Sequence, residues 1–147
     1  MNVFIVGSPL ETAKAMKDDI LRFNKQIVEC KQMLNAINGV TQAWSNHPCS
    51  LQYKDHQLWL YVYMRCLKCY RDGDVTSAEL FSGACDCIRP PFHTQEFFDQ
   101  MKRRLFTKAP FLYSQWADLG TSEINHYFVD GEWRYYKNGK RVNEKQD

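Results

Sequence analysis

The chain lacks long hydrophobic runs, and it contains little proline, little glycine and little net charge. Five prolines and seven glycines among 147 residues are too few for a disordered or collagen-like protein, and 44% hydrophobic residues can fill a core. No apolar run approaches the roughly 20 residues that cross a bilayer. A net charge of +2 is small for a protein that binds duplex DNA mainly through phosphates. The composition predicts one compact domain over residues 1–142, with no membrane segment and with a disordered tail at 143–147.

The six cysteines do not follow a pattern typical of disulfide-bonded or zinc-binding proteins. The apolar part of residues 1–10 is too short for a signal sequence, so we expect a cytoplasmic protein with reduced thiols. Cys66 and Cys69 fall within a helical pattern, whereas zinc ribbons place such pairs on turns. The spacing of Cys85 and Cys87 adds only a weak metal signal. We therefore predict no metal site and no cofactor.

Helical patterns dominate the first 119 residues and predict a mostly α, compact single-domain helical bundle. Ser8 and Glu11 have the spacing of a capping box around Pro9, and Asn38-Gly39 is a typical helix end. The predicted helices are 9–16, 19–37, 49–71, 76–87 with an interruption at Gly83, one after Pro90-Pro91 capped by Thr94, a short one from Ala109-Pro110 to Leu119, and one further turn within 121–127.

The last segment predicts an aromatic C-terminal tail or hairpin. Asp130-Gly131 and Asn138-Gly139 are dipeptides typical of tight hairpin turns, and they flank an aromatic run. Alternate side chains of an extended segment point to opposite faces, so one set should pack inward and the other should face a ligand. We expect Trp133 and Tyr135 to be the inward pair, and Arg134, Tyr136 and Lys140 to be the outward set.

The helix predicted at 19–37 carries more polar groups than packing requires. Arg22, Gln26 and Glu29 stack on one face, with Lys25 nearby, and this arrangement suggests a site. The alternative is an ordinary amphipathic helix with a Lys25–Glu29 pair at its solvated edge. The apolar stripe beside these residues consists of Ile20, Phe23, Ile27, Cys30, Leu34 and Ile37.

The loop that follows this helix contains Trp44 and the sequence Asn46-His47-Pro48. A residue before proline is extended, which directs its side chain away from the next helix. Asn46 and His47 could therefore line a site close to Glu29. The alternative is that they only cap the third helix.

A basic cluster in a later helix offers a second binding surface. Arg103 and Arg104, with Lys102, could neutralise phosphates, while the aromatic tail could stack on bases. The alternatives are a solvated helix face and aromatic side chains that dock on the core. Together the two segments favour a DNA or nucleotide partner.

These motifs together resemble the pyrimidine-dimer DNA glycosylase family of endonuclease V-like proteins. They are RxxKQxxE at 22–29, WxNHP at 44–48, a Pro-Pro segment, KxP at 108–110 and WRYYxxGK at 133–140. The resemblance implies a nearly all-helical domain that holds DNA around a damaged dinucleotide. It implies a terminal α-amine that attacks C1′ of the deoxyribose to form an imine, and it assigns the assisting glutamate to Glu29.

The nucleophile is the point at which this chain departs from the family. A small residue normally becomes the terminus after methionine removal, but Asn2 is a side chain that usually leaves Met1 in place. The candidate catalytic residues are therefore Met1, Asn2 and Glu29, and a displaced amine could abolish attack. α-Amines titrate roughly two to three pH units below lysine side chains, which makes a terminal amine the better nucleophile.

Two functions remain open at this point. The first is a glycosylase and abasic-site lyase that acts on damaged pyrimidines without a metal. The second is a non-catalytic nucleotide binder of the same fold, of the kind with which phages sequester a cyclic-nucleotide defence signal. The small net charge and the altered N-terminus favour the second.

Overall fold

The structure, a computed structural model, describes residues 1–143, and within them helices precede a small antiparallel sheet. The mostly helical prediction is confirmed, and the predicted aromatic tail is a set of strands. No helix in this part of the chain is both long and apolar enough to cross a membrane. The elements are α1 (Pro9–Met16), α2 (Ile20–Ile37), α3 (Pro48–Gln52), α4 (Gln57–Arg71), α5 (Val75–Cys87), α6 (Gln95–Lys108), a 3₁₀ helix (Ser114–Leu119), β1 (Asn125–Val129), β2 (Glu132–Lys137) and β3 (Lys140–Val142).

Local signals set the ends of the first two helices as predicted. The Ser8 hydroxyl accepts a hydrogen bond of 3.1 Å from the Glu11 backbone N–H, and the Glu11 carboxylate accepts one of 3.2 Å from the Ser8 N–H. This reciprocal capping box begins α1. At the end of α2, Gly39 has a φ of +75°, a left-handed conformation that glycine adopts without strain.

The prediction of one continuous helix at 49–71 is wrong, because the chain turns between two separate helices, α3 and α4. Tyr53 and Trp59 explain the break. A continuous helix would place side chains six residues apart about 120° away from each other. Their rings instead stack at 5.5 Å with an interplanar angle of 16°, and both are buried. The turn lets two large aromatic side chains fill the same part of the core.

Three further predictions need correction. The helix α5 runs through Gly83 without interruption, because a single exposed glycine costs a helix only about 1 kcal/mol. The helix expected from Ala109-Pro110 forms only at the 3₁₀ segment, after a turn. In place of the helical turn expected within 121–127, the chain enters β1 at Asn125. This strand forms because Asp130-Gly131 makes a tight turn that allows β2 to pair with β1.

The sheet has the order β1-β2-β3, and the two hairpin dipeptides lie at its two turns. Asp130 and Asn138 adopt positive φ angles of 53° and 51°, as type I′ turns require. The sheet packs against α3 and α6 through β1. The predicted tail at 143–147 lies outside the described residues except for Asn143.

The N-terminal segment runs extended through the core without joining the sheet. Val3–Val6 is buried, so its backbone groups need partners from side chains. Gln26 supplies two of them: its amide oxygen accepts a hydrogen bond of 2.6 Å from Phe4 N–H, and its amide nitrogen donates one of 2.9 Å to Asn2 O. Thr12 Oγ1 accepts one of 3.0 Å from Val6 N–H. These bonds fix the position of the chain terminus.

The stripe predicted on α2 is correct for its centre and wrong at its start. Phe23, Ile27 and Cys30 are buried in the core, but Ile20 is 65% exposed at the first turn of the helix. Gln26 is the opposite case. It is only 1% exposed, so it belongs to the buried side of the helix rather than to a solvated polar face.

Candidate functional site

The chain terminus is held between α2 and β1 by three side chains. The Tyr127 hydroxyl donates a hydrogen bond of 2.7 Å to Met1 O, and Asn2 Nδ2 donates one of 2.7 Å to Asn125 Oδ1. Gln26 holds the carbonyl oxygen of Asn2, as described above. The amine of Met1 is therefore carried on an anchored segment.

Asn2 is an anchor with one unused oxygen. Its side chain is 5% exposed, and within residues 1–143 its Oδ1 has no hydrogen-bond partner. The Asn125 oxygen that receives its amide also accepts a hydrogen bond of 3.0 Å from Arg104 Nε. The sequence predicted Asn2 as a catalytic residue, and the structure gives its side chain a supporting position.

The charges of Glu29 and of the terminal amine both shift the pKa of one buried group, the thiol of Cys49. Burial raises the pKa of Cys49 to about 12, the amine opposes the rise, and Glu29 adds to it. The pKa of Tyr127 is also raised, mainly by burial and in smaller part by Glu29. The Glu29 carboxylate and the terminal amine therefore both lie within electrostatic range of Cys49, and Glu29 also lies within range of Tyr127. The sequence pattern identified Glu29 but not Tyr127.

His47 caps α3, as the simpler of the two predictions for this loop states. Its Nδ1 accepts a hydrogen bond of 3.0 Å from Cys49 N–H. Its ring also meets Tyr127 edge to face, with centroids 5.8 Å apart. Burial, and then the terminal amine, lower the pKa of His47 to about 4, so the ring is neutral at physiological pH. Asn46 lies exposed beside it.

Several cations lie within electrostatic range of Lys108 at the end of α6. Burial lowers the pKa of Lys108, and Arg104, Arg22 and Lys25 lower it further, while Glu29 opposes them. Lys108, the lysine of the KxP motif and a member of the predicted basic cluster, belongs to this group although it was not predicted as a site residue. Its position two residues before a proline, at the end of α6, was the available signal.

Not all of the predicted cations are available to a ligand. Arg22 makes a salt bridge of 2.9 Å with Asp19, whose carboxylate also accepts a hydrogen bond of 2.8 Å from the Tyr113 hydroxyl. Arg103 Nε donates to Leu119 O at 2.9 Å. Lys25 is exposed.

Arg104 is buried, which is contrary to the alternative of a solvated basic face on α6 and leaves this arginine engaged within the protein. Its Nη1 donates a hydrogen bond of 2.8 Å to Ser122 O, and its Nε donates to Asn125. Arg104 thus links α6 to the segment that leads into β1. Its side chain supports the residues that hold the chain terminus.

The aromatic residues of β2 alternate between the two faces of the sheet, as predicted. Residues paired directly across antiparallel strands share a face. Asn125 pairs with Tyr136 and Tyr127 pairs with Arg134, so these four lie on the face that meets the chain terminus. Tyr136 and Tyr127 rings are 5.6 Å apart. Lys140 is exposed on β3, but it pairs with Lys137, so it lies on the face of Trp133 and Tyr135 and not, as predicted, with Tyr136.

The inward pair covers the other face. Trp133 packs against Phe97 and Phe128 at centroid distances of 5.7 and 5.2 Å, and Tyr135 meets His126 at 4.9 Å. Both side chains stay partly exposed and line a cavity of about 320 Å³.

Within the described part of the chain, no group of three or more His, Cys, Asp or Glu side chains could hold a metal ion. All six cysteines are free, with Cys66 and Cys85 buried, Cys69 half-buried and Cys87 exposed.

The comparison with protein families agrees with the resemblance drawn from the motifs. The model of the family described as pyrimidine dimer DNA glycosylase matches residues 1–69. No curated protein and no solved structure matches the chain. The matched part contains the anchored terminus, Glu29 and His47, whereas Lys108 and the sheet lie beyond it. The match supports a DNA glycosylase-type function at the level of the family. Over residues 1–69, somewhat less than half of its length, the chain is similar to the pyrimidine dimer DNA glycosylase family.

Proposed function

We propose that the protein is a DNA glycosylase and abasic-site lyase for damaged pyrimidines, with the α-amine of Met1 as its nucleophile. The observation that carries this proposal is the anchored terminus: Tyr127 donates to Met1 O, and Gln26, on the same helix as Glu29, donates to Asn2 O. A freely moving terminus would lose most of the rate that an enzyme gains by holding its nucleophile close to the substrate. This terminus is held by Tyr127, Asn125 and Gln26.

The reaction begins when the neutral amine adds to C1′ and the bond between C1′ and the base breaks. The base leaves with the electron pair of that bond. The nitrogen now bonded to C1′ loses a proton and O4′ gains one. The C1′–O4′ bond then breaks, which opens the sugar ring and gives an imine between C1′ and the nitrogen. Removal of a proton from C2′ then expels the 3′ phosphate by β-elimination. Water finally hydrolyses the imine and releases the amine.

Glu29 has two roles in this scheme. Its carboxylate stabilises the positive charge that develops at C1′ as the base leaves, and it carries the proton to O4′. The pKa of His47, lowered to about 4, keeps that ring neutral beside the amine. A neutral neighbour does not add a second positive charge where the oxocarbenium-like charge forms.

Lys25 and Lys108 are the groups we assign to phosphates of the bound strand. Lys25 is exposed on the outer side of α2, and Lys108 ends α6 close to Arg104. Arg134 forms ion pairs of 3.1 Å with Glu132 and 3.4 Å with Asp130, so it binds a phosphate only by exchanging those partners.

Borohydride trapping on an oligonucleotide with one abasic site tests the proposal. The wild type should form a covalent adduct, and Glu29→Gln should reduce its rate of formation by about 100-fold, a loss typical of general acid–base groups. Glu79→Gln is the matched control, because Glu79 is exposed on α5. Equal trapping by the two variants would contradict the role of Glu29, and no adduct with the wild type would contradict the chemistry.

A non-catalytic nucleotide binder is the second candidate, and the internal pairing of the arginines favours it. Arg103 and Arg104 donate to backbone carbonyls, and Arg134 and Arg141 both pair with Glu132. These four arginines are therefore engaged within the protein and are not free for the phosphates of a long duplex. A cavity of about 350 Å³ lies beside Arg104, Lys108 and Asn138, large enough for a nucleotide.

Thermal shifts separate the two candidates. A cyclic di- or trinucleotide at 100 times its dissociation constant would stabilise a binder by about 2.7 kcal/mol. A glycosylase should respond to abasic or damaged DNA and not to these nucleotides. A shift with a cyclic nucleotide alone would favour the second candidate.

A further inference from the structure

Trp44 has a backbone conformation that bulky residues rarely adopt. Its φ is +67°, in the left-handed region, and the residue lies in the loop between α2 and α3. Such conformations persist where the surroundings enforce them, and they cluster at functional sites. Glycine or asparagine would occupy this position with less strain.

The loop does not need the tryptophan side chain to make its turn. Its hydrogen bonds use backbone groups and a serine: His47 N–H donates to Trp44 O at 3.1 Å, and Ser45 Oγ donates to Gln42 O at 2.8 Å. The residue is 42% exposed, and its ring contact is with the edge of the His47 ring at 5.4 Å. Core packing therefore does not explain the residue.

The ring instead stands at one end of a row of aromatic side chains that passes the chain terminus. His47 follows Trp44 in the row, then Tyr127 at 5.8 Å from His47, then Tyr136 at 5.6 Å from Tyr127. Tyr127 holds the carbonyl of Met1, and the terminal amine lowers the pKa of His47. Trp44 thus presents an exposed aromatic surface at the end of a row of rings that reaches Tyr127, the residue that holds Met1.

We propose that Trp44 stacks on the nucleobase next to the deoxyribose that the amine attacks. This inference rests on the proposed function, because it takes the amine as the reacting group. An indole is the largest stacking surface among the side chains, and base–aromatic stacking tolerates any base. Lys25 and Lys108 lie within electrostatic range of each other, and Glu29 lies within range of Lys108, so these two lysines suit the phosphates of that strand. Trp44 is therefore a positioning residue for the substrate strand.

Trp44→Asn tests the inference, because asparagine accepts the left-handed backbone and removes the ring. We expect the thermal unfolding midpoint to stay the same or to rise. We expect the dissociation constant for a single-stranded oligonucleotide with a tetrahydrofuran abasic analogue, measured by fluorescence anisotropy, to rise about 5-fold to 100-fold. Trp44→Phe should recover most of the binding.

Tyr61→Ala is the matched control, because Tyr61 is 44% exposed on α4 and lies outside the row of rings. The dissociation constant of the Tyr61→Ala variant for the same oligonucleotide should equal that of the wild type. Unchanged binding by Trp44→Asn would overturn the stacking inference and leave the proposed chemistry intact. A lower unfolding midpoint together with unchanged binding would assign Trp44 to stability. Failure of the wild type to bind the oligonucleotide would overturn both the inference and the proposed function.

Discussion

The hydroxyl of Tyr127 donates a hydrogen bond to the carbonyl oxygen of Met1, across 126 positions of the chain. Met1 belongs to the part that matches the glycosylase family, and Tyr127 belongs to the sheet beyond it. The sheet therefore contributes to the position of the terminal amine. Asn125, on the same strand face, accepts a hydrogen bond from the side-chain amide of Asn2.

Tyr127→Phe should separate positioning from folding. Loss of one buried hydrogen bond should lower the free energy of unfolding by about 1 kcal/mol. The less restrained amine should trap abasic DNA about 10-fold more slowly at saturating DNA. Urea unfolding and single-turnover trapping measure the two effects. Tyr53→Phe is the control, because the buried Tyr53 hydroxyl bonds to His93 Nε2 at 2.8 Å, away from the terminus. Equal loss of trapping in both variants would contradict the positioning role.

Gln26→Leu should destabilise the protein more than a comparable change elsewhere. It leaves Phe4 N–H and Asn2 O without partners, and each buried unsatisfied group costs about 1–3 kcal/mol. Gln52→Leu is the comparison, since the buried Gln52 accepts one hydrogen bond of 2.6 Å from Phe128 N–H. Chemical denaturation should give roughly twice the loss for Gln26→Leu. Equal losses would show that the two bonds of Gln26 are not both important for stability.

His47 should make the protein less stable in acid. Burial and the terminal amine lower its pKa from 6.5 to about 4 in the folded state. The unfolded chain therefore binds more protons between those values, and the free energy of unfolding falls as the pH drops from about 6.5 to about 4. Above that range the full stability is present.

His47→Asn isolates this titration, because asparagine also caps a helix. Across the same pH range, the free energy of unfolding should depend less on pH in the variant than in the wild type. His93, whose pKa burial and nearby positive charges lower to about 3, contributes equally to both proteins. Identical pH profiles would contradict the assignment to His47.

The two faces of β2 should respond differently to truncation. Trp133→Ala removes packing against Phe97 and Phe128 and should cost about 2–4 kcal/mol of stability. Tyr136→Ala should weaken oligonucleotide binding by about 1–3 kcal/mol per stacked base. Melting temperature and anisotropy on both variants test this assignment. It would be reversed if Tyr136→Ala unfolded the protein and Trp133→Ala changed only binding.

Signals confined to a few adjacent residues predicted their structures well. The capping box at Ser8, the end of α2 at Gly39 and the hairpin turn at Asn138-Gly139 each depend on local backbone preference. The break between α3 and α4 depends on the stacking of Tyr53 on Trp59, and β1 depends on its pairing with β2. These are tertiary effects, and helical periodicity does not contain them.

Only the part of the candidate site that lies on helix α2 was predictable from the sequence. Glu29 follows from the spacing of polar residues on one helix, and the alternation along β2 follows from strand geometry. The burial of Gln26 and Arg104 could not be predicted, because each side chain satisfies backbone groups of a distant segment. Tyr127 and Asn125 were missed for the same reason: they reach the terminus only after the sheet has formed.

Mass-spectrometric mapping of the borohydride-trapped adduct tests the central claim most directly. The wild type is incubated with abasic DNA and reduced, and the protein is digested to locate the added deoxyribose mass. The account predicts that the adduct lies on the α-amine of Met1 and that acetylation of this amine abolishes it. An adduct on a lysine such as Lys25 or Lys108, or an adduct that survives acetylation, would contradict the claim.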